Sequence, residues 1–138
     1  MKISARVHNS KGSHQVMLAT NDSAQSLSIV PKATGFGSSV NGGELLFLAL
    51  ATCYCNDLYR EAAKRRIRIE SVEVEVHGEF GAEGEPARQV TYQARVRAEA
   101  SEEAIRDLMQ HTDGVAEVQN TLRAGAPIPL NRMEVAKA

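Results

Sequence analysis

The stretch that most constrains this chain is Glu44-Leu45-Leu46-Phe47-Leu48-Ala49-Leu50-Ala51-Thr52-Cys53-Tyr54-Cys55-Asn56-Asp57, whose first half is apolar on every face of a helix. From Glu44 to about Arg65 there is neither Pro nor Gly, and the Ala, Leu, Glu, Lys and Arg content supports about six turns. A helix apolar all round has to be covered on all sides. A chain of 138 residues has little interior in which to hide one, so a partner subunit is the simplest cover. Before the helix, Gly35-Phe36-Gly37-Ser38-Ser39-Val40-Asn41-Gly42-Gly43 reads as a loop, because its glycines and small polar residues resist continuous helix or strand.

With 43% apolar residues, a single domain over residues 1–138 can bury a core without disulfide or metal staples. The formal charge of −1 sets up no field that would favour nucleic acid or an anionic membrane. The basic cluster Lys64-Arg65-Arg66-Ile67-Arg68 falls where the helix should end, and cations there interact favourably with the negative end of its dipole. Met1-Lys2-Ile3-Ser4-Ala5-Arg6-Val7 offers no apolar signal core, and Leu45 to Ala51 is too short to span a bilayer. The expectation is a soluble cytoplasmic protein with no membrane contact, in which a reducing environment keeps both cysteines as thiols.

Strands are expected at Ile3–Asn9 and Ser13–Ala19 around an Asn-Ser-Lys-Gly turn, with a third at Ala24–Val30 stopped by Pro31. Ile67 to Val76 alternates apolar and polar but slips phase near Ser71, which predicts a bulge or bend there. Val90 to Ala98 alternates again and makes its antiparallel partner. Ser101 can cap a second helix that carries Glu102 and Glu103 in its first turn and ends at Asp113-Gly114. Val115 to Leu122 and Ile128 to Val135 read as short strands or extended chain.

Redox chemistry, if present, belongs to the two cysteines. On an unbroken helix Cys53 and Cys55 project about 160° apart, so a disulfide between them would need local unwinding. His77 and His111 stand in unrelated segments, so no zinc ligand set forms, and neither metal nor cofactor is expected. Buried cysteine often serves as a small hydrophobe. A reactive thiol instead needs a cation, a donor or a helix N-terminus to favour the thiolate, and Asp57 one turn later acts in the opposite direction. The activating group therefore has to come from elsewhere in the fold or from a second subunit.

Gly43-Glu44-Leu45-Leu46-Phe47-Leu48-Ala49-Leu50-Ala51-Thr52-Cys53 resembles the signature of the OsmC/Ohr family. The segment Ala62 to Val74 is similar to that family's helix end and long strand, and Val118-Gln119-Asn120-Thr121-Leu122 resembles its C-terminal segment. What the resemblance implies is an α+β intertwined homodimer with active sites at the subunit interface. Each chain would carry an N-terminal hairpin and third strand, a long central helix, a long antiparallel strand pair, a second helix and C-terminal strands. The family's known activity is reduction of organic hydroperoxides by a peroxidatic cysteine, and Cys53 matches that position.

The chain departs from the peroxidase pattern in three places. Where a resolving cysteine is expected it reads Gly114-Val115-Ala116-Glu117. Gly43 stands in place of a glutamate, with Glu44 one position later, and the hairpin offers Lys11, His14 and Gln15 after Arg6 where an activating arginine is expected. Two readings follow. One is a thiol-dependent reductase of organic hydroperoxides in oxidative-stress defence, with Cys53 as nucleophile, Cys55 or an external thiol as resolver, and Glu44 and Arg6 as supporting groups. The other is a non-catalytic homodimer that binds an apolar or acyl small molecule at the subunit interface.

Overall fold

In a computed structural model describing residues 1–138, the chain forms two compact units, Met1–Leu46 and Phe47–Ala138. The first opens with β1 (Ile3–Ser10), β2 (Ser13–Thr20) and β3 (Ser23–Leu27), an antiparallel sheet in the order β1-β2-β3. Gly12 turns the hairpin at φ +74°, a left-handed conformation that glycine enters without steric cost. Val7, Val16 and Leu27 form one cross-strand row, and Arg6, Met17 and Ser26 form another on the opposite face. Only Val16 of this unit's large apolar side chains is buried.

The third strand ends at Leu27, three residues short of the expected Val30. Pro31 has no N–H with which to continue a ladder, and the chain turns back on itself there. Ser39 N donates to the Val30 carbonyl at 2.9 Å and Pro31 bridges Ser38, closing the loop that leads to the long helix.

That helix, α1, spans Gly42–Lys64 and starts two residues before the expected Glu44. Asn41 Oδ1 accepts from Glu44 N at 2.8 Å while Glu44 Oε2 accepts from Asn41 N at 2.8 Å. This reciprocal capping box satisfies two otherwise free donors, which draws Gly42 and Gly43 into the first turn. At the other end Arg66 takes φ +57°, and Ile67 N reaches the Ala62 carbonyl at 2.9 Å, a Schellman closure with arginine in place of the usual glycine.

The second unit pairs β4 (Arg68–Glu79) with β5 (Arg88–Glu99). The register shifts between Ile69 and Ser71, where the phase slip predicted it, and again between His77 and Glu79. At that second shift Gly78 lies under the ring of Phe47: a Cβ there would stand 2.7 Å from Phe47 Cζ. One face of the pair is an exposed ladder of Glu–Arg contacts, including Glu70–Arg97 at 2.6 Å and Arg68–Glu99 at 3.0 Å. Such exposed pairs contribute little stability. The other face sets Val72, Val74, Tyr92, Ala94 and Val96 against Tyr54, Leu58 and Ala62 of α1.

Ser101 caps α2 (Glu102–Val115), its side chain accepting from Ala104 N at 3.2 Å. The helix runs through Asp113 and Gly114 rather than ending on them, because Gly114 has a helical continuation to Val115 and the chain breaks only at Ala116. A third helix, α3 (Glu117–Arg123), replaces the strand expected over 115–122. It is held by tertiary bonds: buried Gln119 Nε2 donates to the Leu50 carbonyl at 3.0 Å, and Arg123 Nη2 meets Asp113 Oδ1 at 2.7 Å. A seven-residue helix is too short to be stable alone, which is why local pattern misread it. Residues 126–138 form no regular element, so of the short strands or extended chain expected at Ile128 to Val135 the strands are absent.

The core cluster is Tyr54, Leu58 and Ala62, spaced by four along α1, with Leu108 and Ala116. Tyr54 donates to the Met109 carbonyl at 2.8 Å and meets Tyr92 edge to face at 4.9 Å, and the Tyr92 hydroxyl bonds to Asp113. On the opposite stripe of α1, Leu48, Thr52, Asn56 and Tyr59 are exposed. The helix is therefore covered along one side by its own chain, and the all-round burial that its composition demands is not reached.

Candidate active site

Asp57 stands four residues after Cys53, Arg60 and Glu61 three and four after Asp57, and Lys64 three after Glu61, so the five share a side of α1. Half-buried Cys53 directs its thiol to Asp57 Oδ2 at 3.5 Å. Asp57, buried in spite of its charge, accepts from Arg60 Nη1 at 2.7 Å, and the same nitrogen reaches Glu117 Oε1 of α3 at 3.1 Å. Arg60 Nε donates to buried Glu61 at 2.8 Å, and Lys64 Nζ meets the same carboxylate oxygen at 2.8 Å. His111 of α2 contacts Glu61 Oε2 at 3.2 Å. Three helices thus contribute to one charged network, which leaves no carboxylate in it without a basic partner.

The electrostatics of the thiol follow from these neighbours. Burial pushes Cys53 up from its ordinary value, the Val118 backbone N–H opposes that by stabilising the thiolate, and Asp57 and Glu117 push it up further. Asp57 is raised by burial and by its hydrogen bond with Glu117, against the pull of Arg60. Glu117 is lowered by its own backbone N–H, by the bond from Asp57 and by Arg60. Glu61, held by Lys64, then Arg60 and His111, falls to about 2.

Cys53 Sγ and oxygens of Asp57 and Glu117 lie within 4.8 Å of one another, a spacing that a metal ion could use. The Arg60 guanidinium, however, already hydrogen-bonds both carboxylates. The two carboxylates are therefore ion-paired by a protein cation, beside a thiol that donates to the other oxygen of Asp57.

A model of the OsmC-like protein family matches residues 35–131, well over half of the chain. The chain belongs to the OsmC-like family. Three solved structures illustrate how far the likeness of this OsmC-like chain extends. An OsmC-like protein from Mycoplasma pneumoniae is 19% identical, covers 87% of each chain and superposes with a TM-score of 0.58. From Legionella pneumophila, an organic hydroperoxide resistance protein OsmC, also described as a predicted redox protein, is 17% identical over 89% of this chain and 90% of its own, with a TM-score of 0.59. An organic hydroperoxide resistance protein from Elizabethkingia anophelis is 16% identical over 89% of each chain at 0.52. At these identities the shared property is the fold. No curated protein matches the chain.

Within the OsmC-like fold, the four residues singled out from sequence fall in four separate places. Cys53 lies in the charged network just described. Cys55 is also half-buried, but α1 is unbroken between them, so its thiol projects about 160° away, onto the stripe of Leu48 and Tyr59. Glu44 is exposed and its carboxylate is engaged in the capping box. Arg6 is exposed on β1, where with His8, His14, Gln15 and Met17 it lines a groove of about 720 Å³ in the N-terminal unit. Sequence reasoning missed Arg60, Glu61 and Glu117. The first two were within reach, since Arg60 and Glu61 stand seven and eight residues after Cys53 on its own helix face. Glu117 carries no local signal, because its partner Arg60 is 57 positions away.

Proposed function

We propose that this OsmC-like chain is a thiol-dependent reductase of organic hydroperoxides in oxidative-stress defence, with Cys53 as its nucleophile. The observation that carries the reading is that Cys53, unlike Cys55, sits in a charged network, its thiol donating to Asp57 Oδ2 at 3.5 Å beside the Arg60–Glu117 pair. Two proteins of similar fold, both organic hydroperoxide resistance proteins, support the same chemistry. In the reaction, Cys53 Sγ attacks the terminal peroxide oxygen and the O–O bond breaks. The peroxide is reduced to an alcohol, which leaves with the thiol's proton, and the sulfur is oxidised to a sulfenic acid. A second thiol then condenses with the sulfenic acid, forming a disulfide and releasing water. Since Cys55 points away, an external thiol suits that step better than Cys55 does, and a reducing cytoplasm would supply one.

The functional form we infer is a homodimer acting as one domain per chain. Ile3, Val7 and Leu27 on the N-terminal sheet and Leu48 and Tyr59 on α1 are all more than 40% exposed, which is apolar surface for a second subunit to cover. In that dimer Arg6 and Glu44 are candidates to complete the other subunit's site. No helix is long and apolar enough to cross a membrane.

Stopped-flow oxidation of the reduced protein by cumene hydroperoxide and by hydrogen peroxide tests this, with Cys53→Ser beside the wild type. Fast consumption that favours the organic peroxide and disappears in Cys53→Ser is the expected result. A second reading, a non-catalytic dimer that binds an apolar or acyl molecule, is favoured by one observation: burial and two carboxylates hold the Cys53 thiol in its neutral form. Reaction no faster than that of free cysteine would reject the reductase and make ligand binding the leading reading.

A further inference from the structure

Arg60 stands out because it is the one guanidinium joined to both carboxylates that face the Cys53 sulfur. Its Nη1 meets Asp57 Oδ1 at 2.7 Å and Glu117 Oε1 at 3.1 Å, while Nε anchors it to Glu61 at 2.8 Å. Asp57 in turn receives the thiol. We propose that Arg60 is a positioning residue for Cys53, acting through Asp57 and Glu117: it holds the two carboxylates in place and offsets their charge beside the sulfur. The inference rests on reading Cys53 as the nucleophile, and it assigns control of that thiol to a cation on its own helix.

The physical argument is one of balance. A thiolate at position 53 would face two carboxylates, and each like charge within a few ångströms disfavours it. Opposing them are the Val118 amide and the Arg60 guanidinium. The other charged groups of the network are a step removed. Glu61 and Lys64 lie farther along α1, and His111 reaches in from α2 only as far as Glu61. The sheet side adds the hydroxyl of Tyr92, which is engaged with Asp113. Glu61 fixes the guanidinium from the far side, so Arg60 is oriented before any substrate arrives. Planarity and several donors let one arginine hold three carboxylates, which a lysine ammonium does with less directional fit.

The test is the pH dependence of Cys53 alkylation by iodoacetamide, followed by peptide mass spectrometry so that Cys55 is counted separately. Arg60→Gln is expected to move the midpoint upward by at least ~0.5 pH unit, equivalent to about threefold less thiolate at a fixed pH below it. Arg60→Lys, which keeps the charge, should restore at least half of that shift. Asp57→Asn should move the midpoint downward, and adding it to Arg60→Gln should bring the profile back toward wild type. Arg60 is exposed, and circular dichroism checks that each variant is folded. An Arg60→Gln profile that coincides with wild type overturns the inference, as does an Arg60→Lys profile no different from that of Gln. Cumene hydroperoxide consumption by the wild type is read in parallel. A profile that moves in a protein that consumes no peroxide upholds the role of Arg60 on the thiol and rejects the reductase reading. Consumption with an unmoved profile rejects Arg60 alone.

Discussion

The two units of the chain solve the problem of burial differently. The C-terminal unit makes its own core, with Leu58 and Leu108 at 0% exposure and Tyr54 at 3%, whereas the N-terminal sheet buries Val16 and leaves Val7 60% exposed. Apolar side chains on a sheet face contribute hydrophobic stabilisation only where something removes them from water. The contrast teaches that α1 with α2 and α3 organises the network around Cys53 within one chain, while the N-terminal sheet leaves most of its large apolar side chains exposed. Cys53 lies in the unit that makes its own core.

The strongest way to break this comparison is to remove one core side chain from each unit. Leu108→Ala is expected to cost about 2–5 kcal/mol in urea unfolding, since a fully buried leucine leaves a cavity. Val16→Ala should cost about 1 kcal/mol or less, because its neighbours are open and can relax. Equal losses would show that both units draw on one core.

A smaller effect is expected where α1 meets the strand pair. Gly78→Ala would place a methyl group 2.7 Å from Phe47 Cζ and 3.0 Å from Val90 Cγ2. The rings of Phe47 and Phe80, stacked at 6.0 Å, would have to shift, for a loss of about 1–3 kcal/mol by the same unfolding assay. Unchanged stability would mean that Phe47 is not fixed against the C-terminal sheet.

The smallest effect concerns pH. Glu61 is held near 2 in the folded protein against an ordinary value of 4.5, so its ion pairs stabilise the fold fully above about pH 4.5. That contribution is lost progressively as pH falls toward 2. Urea midpoints measured between pH 7 and pH 3 should therefore decline less steeply in Glu61→Gln than in wild type. Parallel declines would separate the depressed carboxyl from folding.

Much of the fold can be read from local pattern. The apolar run before Asp57, the two alternating strands, the slip at Ser71 and the Ser101 cap all follow from contacts within a few residues, and each appears where its period or cap chemistry puts it. The Asn41-x-x-Glu44 capping box was equally present in the sequence, and it explains why the helix begins at Gly42. Where the tertiary environment decides, local pattern fails. Pro31 and the Val30–Ser39 closure shorten the third strand, and Gln119 and Arg123 stabilise a helix in place of a strand.

The site divides along the same line. By itself the sequence determined that Cys53 lies mid-helix, that Asp57 one turn on disfavours its thiolate, and that Cys55 points away, because helical geometry is set by backbone hydrogen bonds spanning four residues. Only the tertiary structure decided which groups answer Asp57. Glu117 and the Val118 amide come from a segment some 60 positions later in the chain, and their approach to α1 depends on how α3 docks through Gln119 to the Leu50 carbonyl. Charge interactions of that kind depend on distance in space, which no spacing along the chain encodes.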